Sequence, residues 1–302
     1  MLRLRAPLAL ALVFALSSAA LAAGTAATAP PKPTINGKYH DAIPPIAQAG
    51  KAQLARQRHP IIEKYRQKYV AKAKAGTLDV VEPEDPEIVR QQGKLTAYLT
   101  ERAKRTNRPV LLVLEGFDGA GKSSTIRRLQ AAVDAANVEF LTQHFGAPSA
   151  KERRWWPRTY IDKIPNAGQF KVFDRSWYGR AVYDKYFGMI GKAAVGSRLR
   201  TIRKLEASLG QDVDLVKIFL DASPERLAQT IGKREVEKPE ILSSSDYVTF
   251  DDQAKIRGLF DRARSETKGW SSVSMDDRAK GRADVIRTVR KQLQRLDAER
   301  GE

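Results

Sequence analysis

Apolar positions change their period repeatedly from residue 109 onward, and each change marks an element. Pro109-Val110-Leu111-Leu112-Val113-Leu114-Glu115 is a continuous apolar run, the pattern of a parallel strand buried on both faces. After a glycine-rich stretch, Ile126, Leu129, Val133 and Ala136 recur on one face at helical spacing. Residues 138–143, 170–174, 214–220 and 270–275 read as further strands. Helices are predicted between them. One spans about residues 87–105, ahead of the first strand. Ser149-Ala150-Lys151-Glu152 is a capping box that opens a helix containing Trp155 and Trp156. Residues 197–209 form a helix closed by Gly210, and Ser223-Pro224 starts another. Val285, Ile286, Val289, Leu293 and Leu296 mark the last helix. Strands alternating with helices predict an α/β domain, a parallel sheet between two helical layers.

The N-terminal third is patterned differently. Arg3 and Arg5 precede an apolar run from Leu8 to Ala20, followed by Ala20-Leu21-Ala22, so residues 1–22 read as an export signal with Ala23 as first mature residue. The run is short for a membrane span, which leaves an uncleaved anchor as the second reading. Export implies a periplasmic location. Residues 23–44 are rich in Ala, Thr and Pro and read as a linker. Within residues 45–75, Lys51, Arg56, Arg58, Lys64, Arg66, Lys68, Lys72 and Lys74 are opposed only by Glu63. Ile61, Ile62, Tyr65, Tyr69 and Val70 recur at helical spacing behind Pro60, which suits a helix's first turn. This predicts a basic amphipathic helix that docks its apolar stripe and solvates its charges, with a polyanion-binding arm as the alternative. An acidic, proline-containing break at 81–87 ends the 23–86 extension, and the domain is expected over 87–302.

Composition narrows the chemistry. There are no cysteines, which excludes disulfides, thiolate metal sites and cysteine nucleophiles. Histidine is confined to His40, His59 and His144, too few for a histidine-rich metal site. A formal net charge of +18 favours polyanionic partners without choosing among them.

The choice comes from the glycine-rich stretch. Gly116-Phe117-Asp118-Gly119-Ala120-Gly121-Lys122-Ser123 fits G-x-x-x-x-G-K-[ST] and lies between a strand and a helix. In that context Gly116, Gly119 and Gly121 let backbone N–H groups close on a phosphate at a helix N-terminus. Lys122 is expected to reach phosphoryl oxygens, and Ser123, with Ser124 beside it, to stand at the bound metal and phosphates. Asp174 ends an apolar strand, where a second acidic group would hold Mg²⁺; a helix N-cap is its alternative role. Asp118 is a carboxylate inside an anion-binding loop, which makes sense if it holds a metal or orients an attacking phosphate; an Asx-turn contact is the plainer role. Arg175, Arg180 and Lys185 follow Asp174 at spacings of one to three helical turns and could grip a phosphate chain. Trp177 and Tyr178 are read as packing residues. The polar segment 232–250 is read either as a lid bringing Lys233 and Arg234 to the phosphates or as a plain surface loop.

Three runs together resemble the type-2 polyphosphate kinase family. They are Glu115-Gly116-Phe117-Asp118-Gly119-Ala120-Gly121-Lys122, then Phe145-Gly146-Ala147-Pro148-Ser149 with Glu152-Arg153 and Trp156, then Phe173-Asp174-Arg175-Ser176-Trp177-Tyr178-Gly179-Arg180. Val216-Lys217-Ile218-Phe219-Leu220, Thr267 with Trp270, and Asp277-Arg278 with Arg282 follow in the family's order, so the resemblance covers roughly residues 90–295. It implies a P-loop kinase fold of the three-layer α/β/α kind and Mg²⁺-dependent phosphoryl transfer between inorganic polyphosphate and a nucleoside mono-, di- or triphosphate. By the match, Asp118 and Asp174 resemble the family's paired aspartates, Lys122 its loop lysine, and Arg175 and Arg180 its phosphate-binding arginines. Phe117 departs from a common Arg, Ser123-Ser124 from Gly-Gly, and Ile241-Leu242-Ser243-Ser244 from a Trp-Lys pair. Those departures keep a weakly active polyphosphate-binding envelope protein in view. The loop is also similar to thymidylate kinase loops, which keeps a nucleoside monophosphate kinase in view. A specific nucleic-acid role rests on charge alone and is not expected; a homo-oligomer is compatible with the sequence.

Overall fold

The computed structural model describes residues 59–77, 84–146, 148–239, 242 and 244–301. The expected signal segment 1–22, the linker and most of the acidic break lie outside the described residues.

Helices α1 (Pro60–Lys74) and α2 (Pro86–Arg105) precede strand β1 (Val110–Gly116). Then follow α3 (Lys122–Asp134), β2 (Glu139–His144), α4 (Ala150–Arg154), α5 (Trp156–Ile161), β3 (Gln169–Asp174), α6 (Gly179–Tyr186) and α7 (Lys192–Leu209). The remainder is β4 (Asp214–Asp221), α8 (Pro224–Glu237), α9 (Ser244–Asp251), α10 (Gln253–Glu266), β5 (Trp270–Ser274) and α11 (Arg278–Arg300). The sheet runs β2-β3-β1-β4-β5, parallel throughout. Every residue of central β1 is buried, as an apolar run without alternation requires, whereas edge strand β2 is largely open. Helices α2, α3 and α11 pack on one another, as do α6, α7 and α10, giving the two flanking layers.

The chain leaves neighbouring strands β1 and β4 in opposite directions, toward β2 and β5 respectively. Such a switch opens a crevice at the carboxyl ends of the strands. Register fixes what meets there. Leu114 lies opposite Asp174, His144 is also opposite Asp174, and Gly116 is opposite Leu220.

Three expectations are corrected. The helix expected through Trp155 and Trp156 is broken at Trp155, because Pro157 cannot continue it and instead occupies the first turn of α5. The capping box of Ser149 and Glu152 is present. Segment 232–250 is not an irregular loop, since its first part completes α8 and Ser244–Asp251 is helical. Helix α7 also begins five residues before the expected Ser197, at Lys192, with no side-chain cap to announce it.

Helix α1 lies against α8. Ile62 and Tyr65 are buried, the Tyr65 hydroxyl bonds Glu225, and Arg66 Nε stands 3.3 Å from Glu235 Oε2. Gly232 permits this approach: a β-carbon there would lie 2.8 Å from the Arg66 amide nitrogen and 3.0 Å from the Ile62 carbonyl oxygen. The docked stripe is the packing role expected for this helix. Gly232→Ala should therefore push the helices apart and cost about 1–3 kcal/mol. Urea unfolding would report it as a lower midpoint; an unchanged midpoint would show that α1 adds nothing to stability.

Candidate active site

The loop between β1 and α3 is shaped by its glycines. Gly116 has φ 146°, and a β-carbon there would meet the Leu220 carbonyl oxygen at 2.7 Å. Gly121 has φ 99° and caps α3 with no side-chain acceptor, so the first amides of α3 are left for an external anion. A β-carbon on Gly119 would lie 3.4 Å from the Thr230 side chain, so α8 borders the loop directly.

Lys122 starts α3 and is nearly buried. Its ammonium donates to the carbonyls of Gly116 at 2.9 Å and Phe117 at 3.0 Å. It also stands 3.8 Å from Asp118 Oδ1, and Arg175 Nη2 donates to that same oxygen at 2.5 Å. Burial opposes ionisation of Asp118, but the charges of Arg175 and Lys122, with Arg234 adding to them, hold its carboxyl at about 2. Asp118 in turn raises Arg175 further above the guanidinium range. Asp118 is thus an ion-pair partner here rather than only a turn-forming side chain.

Arg175 is not on a helix, contrary to the spacing argument. It has φ 65°, its amide bonds the Leu114 carbonyl at 3.2 Å, and α6 begins only at Gly179. That left-handed turn, unusual for a β-carbon-bearing residue, aims the guanidinium back across the loop. Tyr178, not Asp174, precedes α6, so Asp174 caps nothing. Asp174 is 8% exposed; Oδ2 lies 3.2 Å from His144 Nδ1, and Oδ1 is buried with no hydrogen-bond partner. Burial works against the carboxylate, but the His144 hydrogen bond and the Lys122 charge keep Asp174 below its ordinary range. An ionised, half-satisfied carboxylate is a suitable ligand for a hard divalent cation. Ser123 is exposed at the start of α3 and could add a hydroxyl. Among the described residues no group of three or more acidic or histidine side chains gathers for a metal, so most ligands would have to come from phosphates and water.

The other expected residues are distributed around this core. Ser124 Oγ donates to the Gly121 carbonyl at 2.9 Å and accepts from Arg282 at 3.2 Å. Arg234 stands 3.8 Å from Asp246 Oδ1 and acts electrostatically on Asp118, whereas Lys233 pairs with Glu237 and faces the Tyr69 ring of α1. Arg180 is nearly buried on α6, 3.3 Å from Asp184, which Arg198 also pairs. Lys185 is half-buried on that helix, and among the described residues no hydrogen bond joins it to Asp118 or Asp174. Trp177 and Tyr178 are fully buried, as packing residues. Sequence reasoning missed His144, whose only signal is its place at the end of the strand beside Asp174, and gave no role to Ser176, Arg226, Arg278 or Arg282.

A glycine loop closing the first strand of a parallel sheet, with a carboxylate ending the adjacent strand, defines a P-loop phosphotransferase fold. Residues 81–301 match the profile described as polyphosphate kinase 2 (PPK2), and the chain belongs to that family. It is similar to the polyphosphate:AMP phosphotransferase of Pseudomonas syringae pv. tomato, 27% identical over 229 residues, covering 70% of this chain and 44% of that protein. It is also similar to the NDP-polyphosphate phosphotransferase 3 of Ruegeria pomeroyi, 28% identical over 204 residues, covering 65% of this chain and 66% of that protein. The chain therefore spans about half to two thirds of these relatives. The fold is like that of polyphosphate kinase 2 from Arthrobacter aurescens TC1, with a TM-score of 0.59 and 22% identity over 68% of this chain and 76% of that one.

Beneath the loop, Glu115 is completely buried and accepts from Ser176 Oγ at 2.7 Å. Burial pushes its carboxyl up from 4.5 to about 7, outweighing the Ser176 hydrogen bond and Lys122. The folded chain therefore binds more protons than the unfolded one between those values, and stability falls as pH rises through that window. The full change is on the order of 3 kcal/mol. Glu115→Gln keeps an acceptor for Ser176 and should flatten this slope. Urea unfolding of both proteins at steps from pH 5 to about 8 measures it; parallel curves would mean Glu115 does not titrate there.

Proposed function

We propose that the protein catalyses Mg²⁺-dependent phosphoryl transfer between inorganic polyphosphate and a nucleotide. The observation that carries this reading is the placement of Asp118, Lys122, Asp174 and Arg175 around one loop whose helix amides are uncapped. Family membership supplies the substrate class, since the relatives are named for polyphosphate and AMP or nucleoside diphosphates.

In this reading the loop amides and Lys122 hold the terminal phosphates of the donor. The P–O bond to the chain breaks, a P–O bond to the nucleotide's terminal phosphate forms, and the chain leaves one phosphate shorter. Arg175 neutralises charge on the moving group, and Asp118 sets the approach of the acceptor while holding Arg175 in place. Asp174 and Ser123 would hold Mg²⁺, which offsets phosphate charge when bound. Arg234 reaches the same field from α8, and Arg180 and Lys185 would serve the chain beyond it. Positioning and electrostatics carry such transfers, so a rigid cationic loop suits the chemistry. We further propose that the protein is exported, from the pattern of residues 1–22.

Lys122→Ala should lower turnover by about 10²-fold or more while leaving the urea midpoint near wild type. The assay follows nucleotide product from polyphosphate and Mg²⁺ with each nucleotide offered in turn. A folded Lys122→Ala protein with near-normal turnover rules out this mechanism. Asp174→Asn should abolish the Mg²⁺ dependence together with activity; an unchanged Mg²⁺ optimum would remove Asp174 from the metal site. Mass spectrometry of the native protein tests export, which predicts an N-terminus at Ala23 and is contradicted by intact Met1 in a cytosolic fraction.

A further inference from the structure

Strand pairing puts a histidine against the carboxylate that ends β3. His144, the last residue of β2, lies opposite Asp174 in the parallel ladder. Its backbone is held there on both sides. The register is continuous from Glu139, and the Phe145 amide donates to the Asp174 carbonyl at 3.2 Å. The Phe145 ring packs against Phe173 and Tyr160, with centroids 4.8 and 4.5 Å away. The imidazole itself is largely exposed, yet its Nδ1 stands 3.2 Å from Asp174 Oδ2. An ionised carboxylate only accepts, so Nδ1 carries the hydrogen. The neutral Nδ1–H tautomer and the imidazolium both make this bond, so it needs no change of charge.

The two oxygens of Asp174 differ in what they hold. Oδ2 takes the His144 bond, whereas Oδ1 is buried without a hydrogen-bond partner in a residue only 8% exposed. A buried carboxylate oxygen left bare is costly unless a ligand completes it. The neighbouring cations do not complete it. Lys122 directs its ammonium to the Gly116 and Phe117 carbonyls, and Arg175 donates to Asp118. Both lie within electrostatic reach of Asp174, so a carboxylate free to turn could close on them and fill Oδ1 from the protein itself. The His144 bond opposes that turn, since the carboxylate cannot leave its present plane without losing it. What remains is an oxygen suited to a hard divalent cation that brings its own waters or phosphates.

We infer that His144 is a positioning residue for the divalent cation: by fixing Oδ2 of Asp174 it keeps Oδ1 out of the loop's ion pairs and open to the metal before any phosphate arrives. The choice of Asp174 as a metal ligand rests on the function proposed above; the role of His144 is a separate claim with its own test. Outer partners of this kind fix the orientation of a ligand, and removing one commonly weakens a metal site by about 10–100-fold.

The test is Mn²⁺ binding to the full chain with no phosphate present, read from the electron paramagnetic resonance signal of free Mn²⁺, with Mg²⁺ as competitor. Asp174→Asn should remove a Mg²⁺-displaceable site. His144→Ala should weaken that site roughly tenfold. His144→Asn should stay within about threefold of wild type, because its amide nitrogen branches from Cγ, as Nδ1 does, and can donate in its place. His144→Gln carries its donor farther out and should behave like His144→Ala. A general loss of fold would not produce this split, since Asn and Gln are both neutral amides at the same exposed position. Full affinity in His144→Ala overturns the inference, as do failure of His144→Asn to restore the site and a wild-type chain without such a site. Metal-free binding of labelled tripolyphosphate, followed by fluorescence anisotropy, should agree within about twofold between wild type and His144→Ala. A loss there as large as the loss of metal affinity would make the imidazole a direct phosphate contact and overturn the inference too. The two readings separate in the Asp174→Asn protein. Retained Mn²⁺ there rejects the metal assignment of the proposed function and the inference with it. Loss there, with none in His144→Ala, rejects positioning by His144 alone.

Discussion

Asp118 sets the terms for the whole site. Lys122 and Arg175, which the proposed function sets against phosphate, stand close together, and without a counter-charge their repulsion and burial would drive them apart. A carboxylate within the loop supplies that counter-charge, 2.5 Å from Arg175 and 3.8 Å from Lys122. Removing water from such a cluster strengthens each attraction and also raises the cost of leaving any member unpaired. The loop cations are therefore held in place by the loop's own carboxylate, and under the proposed function they would need no rearrangement to meet a phosphate. Asp174 adds a different kind of readiness, because one oxygen is occupied by His144 and the other is not.

This arrangement needs a rigid support under Arg175. Trp177 and Tyr178 supply it from inside the protein. The Trp177 indole and the Tyr178 hydroxyl both donate to Glu206 Oε1, at 3.0 and 2.8 Å, and Lys217 of β4 holds Glu206 Oε2 at 2.6 Å. The turn carrying Arg175 is thereby tied to α7 and to the centre of the sheet. Ser176 ties it to β1 through Glu115. A buried polar network of this kind permits one geometry and penalises others, because each broken contact strands a polar group away from water.

The parts of this structure governed by local pattern were legible in the sequence. An unbroken apolar run could only be β1, and a glycine loop followed by Lys122 could only open a helix toward an anion. Strand β3 and the capping box at Ser149 were legible for the same reason. What escaped was set by the order of strands and by single backbone turns. His144 lies beside Asp174 because β2 pairs with β3, and residue spacing does not encode that pairing. Arg175 was grouped with Arg180 and Lys185 at helical spacing after Asp174, but its φ of 65° reverses its direction. Pro157 ended a helix that the capping box had correctly begun. Lys233 and Arg234, adjacent in sequence, separate because neighbouring positions on α8 point about 100° apart, one beside the Tyr69 ring of α1 and one beside Asp246 of α9.

The excess positive charge divides into two populations with different physical consequences. On α1, Lys68, Lys72 and Lys74 are exposed, so salt screens them. Arg226, Arg278 and Arg282 beside the loop are half-buried and hydrogen-bonded in fixed positions, so screening reaches them less and geometry governs what they accept. Helix α1 joins the two populations. Its apolar stripe and Tyr65 fasten it to α8, its solvent face carries the lysines, and Tyr69 lies at the boundary near Arg226 and Arg278.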